Sequence, residues 1–573
     1  MEKIVVIGAV AAGPKTACHA KRLMPEADIL LIDQDNLISY GGCGIPYYIG
    51  GEVGDETALR STSFHAVRDE VFFHEAKGLR VKIKTKVLSI NREARTILVE
   101  DIATRKKEEI PYDKLVIATG SQPNLIPIKG LSSKGVFTIG SLHSAMGVQK
   151  WLSKDGVNNV VVVGGGAIGI EMAEGIEDMW GLDTTIVEYM PQLLPNIIDW
   201  QFAEMLKQHL EENNVKVFTG EAVTAIKADE NGLVKSVITD KRTLEADLVI
   251  MAAGVRPRDQ LAKEAGLHVA PKGGIVVNNR MQTSDPNIYA AGDCVESLNL
   301  VSGKRMFAPL GSLANRQGRV VGDNLAGIPS TFNGITGSFI MKAFETCVGS
   351  TGLSYQAALA EGFDAEQVIT IQSDRAHFLP NQENMPLIMV VDKSNRKVLG
   401  IQGFGPMGDG VMARINAAAG LLAKNAVIED FSNLEMAYAP PFSTAVDALN
   451  ATANVADNLV RGRFRQDSIK GFIEWLKDPS RKPEWIALDT RSNSDSQPFR
   501  DAYGERWLNI PYPEMRARYQ ELPKEKELII ICGAGTRSYE VQIFLDSVGY
   551  TNTKVLGGGL MVLRRLGLVD LPG

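Results

Sequence analysis

Two stretches of the chain repeat one alternation of apolar runs, glycine turns and helical spacing. Lys3–Gly8 reads as a buried strand, Gly8-Ala-Val-Ala-Ala-Gly13 as a turn, and the residues through Met24 as a helix. A second strand, Ile29–Ile32, ends at Asp33. The pattern returns at Val160–Val163, followed by Gly164-Gly-Gly166-Ala-Ile-Gly169, an Ala/Glu/Met-rich helix, and a strand Thr184–Val187 that ends at Glu188. Short apolar runs bounded by glycine turns, with a helix between them, predict parallel strands buried on both faces. Leu115-Val-Ile-Ala-Thr119-Gly120-Ser121 and Leu248-Val-Ile-Met-Ala-Ala-Gly254 add two more buried strands that bracket the second repeat, as expected where a chain leaves one domain and returns. Asn287–Asp293 ends another strand, and Ala308-Pro-Leu310-Gly311 opens a helix.

The turns carry the first chemistry. Glycines between strand and helix let the backbone approach a pyrophosphate, which then sits on the helix N-terminus, while an acid about 20 residues later receives ribose hydroxyls. Asp33 follows Gly13 by 20 residues and Glu188 follows Gly169 by 19. The first copy has Val10 at the middle glycine position, whereas the second is a full fingerprint. A carboxylate at Glu188 favours the free 2′-hydroxyl of NADH and repels the 2′-phosphate of NADPH. Asp293 is placed to bind a flavin ribityl chain, and the positive end of the helix at Gly311 to face the flavin N1/O2 edge.

Composition narrows the class. The chain has 573 residues, room for about three or four domains. It is 45% hydrophobic and 23% charged with a net charge of −7, which disfavours a nucleic-acid surface. No apolar run approaches the ~18 residues of a membrane span. The N-terminus enters a strand at once without a targeting pattern, so the expected location is the cytoplasm. The cysteines, Cys18, Cys43, Cys294, Cys347 and Cys532, are scattered and lack CxxC spacing, which argues against a disulfide framework and against a metal site.

Cys43 lies in Ser39-Tyr-Gly-Gly42-Cys43-Gly-Ile-Pro-Tyr47, about ten residues after the first repeat, where a flavin ring would lie. The positions of a neighbouring half-cystine are Tyr47 and Tyr48, so any redox chemistry here uses one protein sulfur and takes the second from substrate.

Together these features resemble the flavoprotein disulfide reductases with two dinucleotide-binding domains, in the single-cysteine branch that holds coenzyme A disulfide reductase, NADH peroxidase and NADH oxidase. The resemblance covers about residues 1–450. It implies an α/β fold: an FAD-binding domain at 1–112 and 246–325, an NAD-binding domain at 113–245, both Rossmann-like, and an α+β dimerisation domain at 326–450. The cofactor-binding residues it implies are Gly8, Val10, Ala11, Ala12, Gly13, Asp33, Gln34, Val87, Thr119, Gly120, Ser121, Gly164, Gly166, Ala167, Ile168, Gly169, Glu171, Glu188, Gly254, Asp293, Leu310 and Gly311. The motif Ala437-Tyr438-Ala-Pro-Pro-Phe442-Ser-Thr-Ala-Val-Asp447 matches the coenzyme A disulfide reductase subgroup, which implies a homodimer with Tyr438 reaching the partner's cofactor and Cys43. Ser39 and Arg22 match positions where relatives hold coenzyme A, Lys15 and Lys21 are cations that could supply phosphate charge, and His19 and Gly42 complete the expected coenzyme A set. Two positions depart from that set, Gly42 for the usual asparagine and Val446 for the usual lysine.

Past Asp447 come an alanine- and asparagine-rich helix and a basic joint, Arg461-Gly-Arg-Phe-Arg465, read as a linker over 451–469. A new α/β pattern follows over 470–573: Trp485-Ile-Ala-Leu-Asp489-Thr-Arg491, Leu508–Pro511, then Glu527-Leu-Ile-Ile-Ile-Cys532-Gly-Ala-Gly535-Thr-Arg537-Ser538 and a helix to Val548. A cysteine between a buried strand and a helix start has its thiolate, or a persulfide, held by loop N–H groups and the helix dipole. This segment resembles the rhodanese domains, which implies sulfane sulfur on Cys532 with Arg537 beside it. Tyr503-Gly-Glu-Arg-Trp507 stands where their usual Gly-His-Ile does.

The pairing resembles the NADH-dependent persulfide reductases and implies FAD, NADH and coenzyme A as cofactors and carrier. Cys43 then reduces persulfides or polysulfides, fed by sulfur from Cys532, with Tyr438 assisting the leaving sulfur. The alternatives are a coenzyme A disulfide reductase, a peroxidase or oxidase cycling through a Cys43 sulfenate, and a binding protein governed by flavin redox state.

Overall fold

The computed structural model describes residues 2–572 in two compact units. The first unit comprises Met1–Pro191, Asn214–Asn299 and Gly303–Ile335. It holds two parallel five-stranded sheets, and each is built around one of the apolar repeats. In the first sheet Lys3–Ile7 lies between Asp28–Ile32 and Lys114–Ile117, with Ile288–Ala290 and Arg80–Lys82 at the edges. In the second, Asn159–Val163 lies between Asp183–Glu188 and Leu248–Met251, with Lys216–Thr219 and Val136–Thr138 outside them. The strand order reverses at the central strand in both, the point where open α/β sheets bind ligands at the carboxyl ends of their strands.

The glycine spacing follows from close backbone approach. A Cβ on Gly8 would stand 2.1 Å from the Ala118 carbonyl oxygen, and one on Gly13 would stand 1.8 Å from that of Gly8. Gly164 and Gly169 are equally crowded, at 2.4 Å from Ala252 O and 1.9 Å from Gly164 O. Gly166 meets nothing within 4 Å, so the protein itself does not require the middle glycine. Val10 therefore occupies that position in the first copy without disturbing the turn.

The helix Ala12–Leu23 crosses the helix Gly311–Leu325 at close range: a Cβ on Gly318 would stand 2.8 Å from Ala12 O, and one on Gly322 would stand 2.8 Å from the His19 ring.

The second unit comprises Gln192–Asn213, Leu300–Ser302 and Thr336–Gly573. Its antiparallel sheet runs in the order Phe339–Ala343, Thr346–Gly352, Val398–Pro406, Asn384–Asp392, Ala365–Ser373. The helices Asp409–Leu422, Ile428–Ser432 and Ala448–Val460 share its core. The helix Trp200–Glu212 also belongs to this unit. Asp199 before it is buried and accepts hydrogen bonds from Tyr355 N (3.0 and 2.9 Å) and Gln402 Nε2 (2.6 Å). A parallel sheet follows in the order Gln466–Asp467, Thr553–Leu556, Glu527–Ile531, Trp485–Asp489, Trp507–Asn509.

The stretch read as a linker at 451–469 is packed. Ala448–Val460 buries Leu449, Thr452, Ala453 and Ala456 in the core of the antiparallel sheet, and Phe464 and Val555 join the same cluster. Arg465 binds Asp546 through both terminal nitrogens (2.9 and 2.5 Å) and Thr553 O through Nε (3.0 Å). The alanines of this helix let it lie close against the sheet.

Candidate active site

Cys43 sits in the short turn Gly42–Gly44, which leads into the helix Ile45–Gly50 with Pro46 in its first turn. The thiol is free and exposed. Its loop is held by main-chain hydrogen bonds from Ser39 N to Ala9 O (2.7 Å) and from Gly41 N to Leu59 O (2.8 Å). Ser39 is buried in the left-handed region at φ 52°, a strained conformation of the kind that collects at functional sites. A Cβ on Gly311 would stand 3.5 Å from Cys43 Sγ, so the N-terminus of the helix Gly311–Leu325 lies against the sulfur. The positive end of that helix dipole faces the thiol. Tyr48, at one half-cystine position, is buried, while Tyr47 is half-buried.

Beside the first glycine turn lies a cavity of about 710 Å3, lined by Gly8, Asp33, Gln34, Val87 and Thr119 together with Arg258. Burial pushes the Asp33 carboxyl up, against the lowering effect of the N–H groups of Asp35 (2.8 Å) and Ala9 (2.6 Å) that it accepts. Asp293 accepts the Ser121 hydroxyl (3.0 Å), and burial likewise raises its pKa. Thr119 donates to Arg258 O (2.6 Å), and Gly120 takes a positive φ of 71°. Val10 and Ala11 are half-buried and Ala12 is buried at the helix start; Leu310 caps the next helix. The crowded glycine turn, the carboxylate beyond it and the adjoining cavity fit the adenosine diphosphate half of FAD.

The second turn repeats the arrangement. Gly165 N donates to Glu188 Oε2 and Met190 N to Oε1, both at 2.6 Å. Ala167, Ile168 and Glu171 lie in the opening turns of the helix Ala167–Trp180, and Gly254 takes a positive φ of 81°. The open space before Gly166 and the buried acid fit a second dinucleotide.

Lys15, His19 and Arg22 share one helix. His19 Nε2 lies 2.6 Å from Asp323 Oδ1, and its Nδ1 lies 3.3 Å from Arg22 Nη2. His19 thus ties two helices together. Burial raises the Cys18 pKa, against the lowering effect of the positive charges of Lys77, Arg22 and Lys15. Gly42 is exposed at the mouth of the Cys43 loop.

Sequence spacing did not mark Lys77, Arg258 or Tyr40. Arg-Pro-Arg258 after Gly254 was the available signal for the second. Burial, with Asp35 and Asp33 adding, pushes the Tyr40 phenol up to about 12.

In the second unit Cys532 ends the strand Glu527–Ile531 and is only 1% exposed. Gly535 N donates to its Sγ at 3.0 Å. Leu560 N and Met561 N close the loop from the other side, donating to Cys532 O and Gly533 O at 3.0 Å each. Gly535 caps the helix Thr536–Ser547 at φ 97°. The Arg537 guanidinium folds back over Gly533, with Nη2 3.9 Å from where its Cβ would be. The Ser538 hydroxyl is buried and pairs with no protein group. Tyr438 is 54% exposed in the irregular segment before Ala448–Val460.

Among the described residues no cluster of His, Cys, Asp or Glu is arranged to hold a metal ion, and no helix is long and apolar enough to cross a membrane.

Residues 2–309 match the family model for pyridine nucleotide-disulphide oxidoreductases, and 340–449 match the dimerisation domain of the same proteins. The chain belongs to the pyridine nucleotide-disulphide oxidoreductase family. Residues 472–564 match the rhodanese-like domain. This oxidoreductase is 33% identical over 454 residues to an NAD(P)H coenzyme A polysulfide/persulfide reductase of Pyrococcus horikoshii, covering 79% of this chain and 98% of that one. It is equally similar, 33% over 454 residues, 79% of this chain and 98% of the other, to an NADH oxidase of Methanocaldococcus jannaschii. A solved NAD-dependent persulfide reductase from A. fulgidus superposes with a TM-score of 0.90 at 34% identity, covering 98% of this chain and 99% of that one.

Proposed function

We propose that this oxidoreductase reduces persulfides and polysulfides, coenzyme A persulfide foremost, to thiol and hydrosulfide at the expense of NADH. The observation that carries the reading is Cys532 in its cradle, a tight loop at a helix start whose Gly535 N–H donates to the buried Sγ. Reduction of peroxide or oxygen would leave that cradle without a task. The relative named an NADH oxidase and the one named a persulfide reductase both match over 79% of this chain, whereas the persulfide reductase from A. fulgidus matches over 98% of it.

Bound FAD would supply a two-electron relay between NADH and sulfur. The residues of the chain do the rest. Gly8, Gly13 and Asp33 hold the FAD adenosine diphosphate; Gly164, Gly169 and Glu188 hold NADH. Cys43, as thiolate, attacks the inner sulfur of a persulfide R–S–SH. The S–S bond breaks, hydrosulfide leaves, and Cys43 remains in a mixed disulfide with R–S. The electron pair from NADH then cleaves that disulfide, and a proton from solvent completes R–SH. In sum, one persulfide, one NADH and one proton give one thiol, one hydrogen sulfide and one NAD+.

Tyr438 of the partner subunit in a homodimer donates a hydrogen bond to the departing sulfur. Lys15, Arg22 and Lys77 supply cationic charge for the phosphates of coenzyme A, whose pantetheine thiol takes sulfur from Cys532 and presents it to Cys43. Arg537 steadies the anionic donor at Cys532. An NADH donor supports a cytoplasmic site of action.

Replacing Cys43 with serine tests the assignment. Flavin and NADH binding are expected to persist while persulfide reduction is lost; retained reduction would refute the role of Cys43.

A further inference from the structure

Between Ile428–Ser432 and Ala448–Val460 the chain has no regular structure and exposes three large apolar or aromatic side chains, Tyr438, Phe442 and Val446. Beneath it lies a closed polar network. Arg414, on the helix Asp409–Leu422, is 3% exposed. Its Nη2 donates to Asp447 Oδ2 (2.6 Å), to the Ser443 hydroxyl oxygen (3.2 Å) and to Asp374 O (3.4 Å), and its Nε donates to Asp447 Oδ1 (3.3 Å). Nη1 donates to Gly410 O at 3.1 Å. The Ser443 hydroxyl donates to Asp447 Oδ2 at 2.7 Å, and Ala376 N donates to Pro440 O at 3.0 Å. The segment is thus pinned at Pro440, Ser443 and Asp447, while Tyr438, Phe442 and Val446 stay exposed.

Two ordinary explanations leave the guanidinium over. Asp447 caps the helix Ala448–Val460 by accepting from Leu449 N (2.9 Å), which needs one carboxylate oxygen and no partner cation. Stability is the other, but a buried ion pair gives little that well-packed apolar side chains would not, because desolvating both charges cancels most of their attraction. A guanidinium does supply direction. Its planar fork accepts a carboxylate in one orientation, and here the same nitrogen also holds Ser443 and the Asp374 carbonyl.

We infer that Arg414 is a positioning residue for sulfur reduction: through Asp447 and Ser443 it sets the course of the backbone that carries Tyr438. The inference rests on the proposed role of Tyr438 and acts only through it. Loss of the fork lets the tyrosine hydroxyl wander by a fraction of its working distance, and misplacement on that scale slows a positioned reaction by roughly ten- to a hundredfold.

The test is a double-mutant cycle in the full-length, FAD-loaded enzyme with coenzyme A persulfide as acceptor. Arg414→Lys and Ser443→Ala are each combined with Tyr438→Phe. Ser443→Ala removes one neutral hydroxyl and leaves the ion pair of Arg414 and Asp447 in place, so it serves should Arg414→Lys fail to fold. Flavin reduction by NADH, followed in the stopped flow, is expected to stay at the parent rate. The kcat for the persulfide is expected to fall in the single variants, and neither change is expected to slow the Tyr438→Phe enzyme further. Losses that multiply with that of Tyr438→Phe, or single variants with unchanged kcat, would overturn the inference. If instead Tyr438→Phe alone had parent kcat, the role of Tyr438 would fall, and the inference with it.

Discussion

Cys43 and Gly311 meet across the first unit: the Cys43 sulfur stands 3.5 Å from the point a Gly311 Cβ would occupy. A strand-to-helix turn late in the FAD domain therefore closes onto a thiol that precedes it by 268 residues, the difference between positions 311 and 43.

That contact predicts the effect of bulk at Gly311. The position begins a helix at a negative φ, where larger residues are tolerated. Gly311→Val would place methyl groups against the sulfur and in the space before it. The variant is expected to fold, and its kcat/KM for persulfide to fall by at least about tenfold. Steady-state kinetics beside thermal unfolding check both halves; parent activity would show that acceptors reach Cys43 from another side.

Thiol reactivity should separate the cysteines sharply. Burial pushes Cys294 and Cys347 up to about 11. At pH 8 only about one in a thousand of either is then thiolate, the form that alkylates. In the reduced native enzyme iodoacetamide is expected to label Cys43 first and to leave Cys294 and Cys347 unlabelled until the chain is unfolded, as read by peptide mass spectrometry.

Cys532→Ser is expected to spare reduction of free coenzyme A persulfide and to abolish sulfur transfer from thiosulfate to cyanide or to the coenzyme A thiol. Persistence of both activities would make the rhodanese domain a passenger.

Glu188 binds both the turn before it and the turn after it. Glu188→Ser removes two hydrogen bonds to a carboxylate, each worth about 1.5–3 kcal/mol. The KM for NADH is expected to rise at least about tenfold and the preference over NADPH to shrink; an unchanged ratio of the two coenzymes would place discrimination elsewhere.

Much of this was legible in one dimension because each glycine turn also carries a local backbone contact, besides the distant ones of Gly8 with Ala118 and Gly164 with Ala252. Gly8 against Gly13 and Gly164 against Gly169 are the local contacts, and the acids at Asp33 and Glu188 end the very next strands. The Cys532 loop was legible for the same reason, since strand, thiol, glycine and helix start are consecutive. The tie between His19 and Asp323 and the burial of Arg414 were not, because each joins elements distant in sequence whose residues look like ordinary surface charges. The basic joint 461–465 reads as a linker because its arginines look like a solvated boundary, whereas Arg465 is held by Asp546 and Thr553, partners distant in sequence.

The central claim is tested most directly by anaerobic NADH consumption with coenzyme A persulfide and, separately, coenzyme A disulfide, counting hydrosulfide released. The account predicts one hydrosulfide per NADH and a strong preference for the persulfide. Preference for the disulfide, with thiol as the only product, would contradict it.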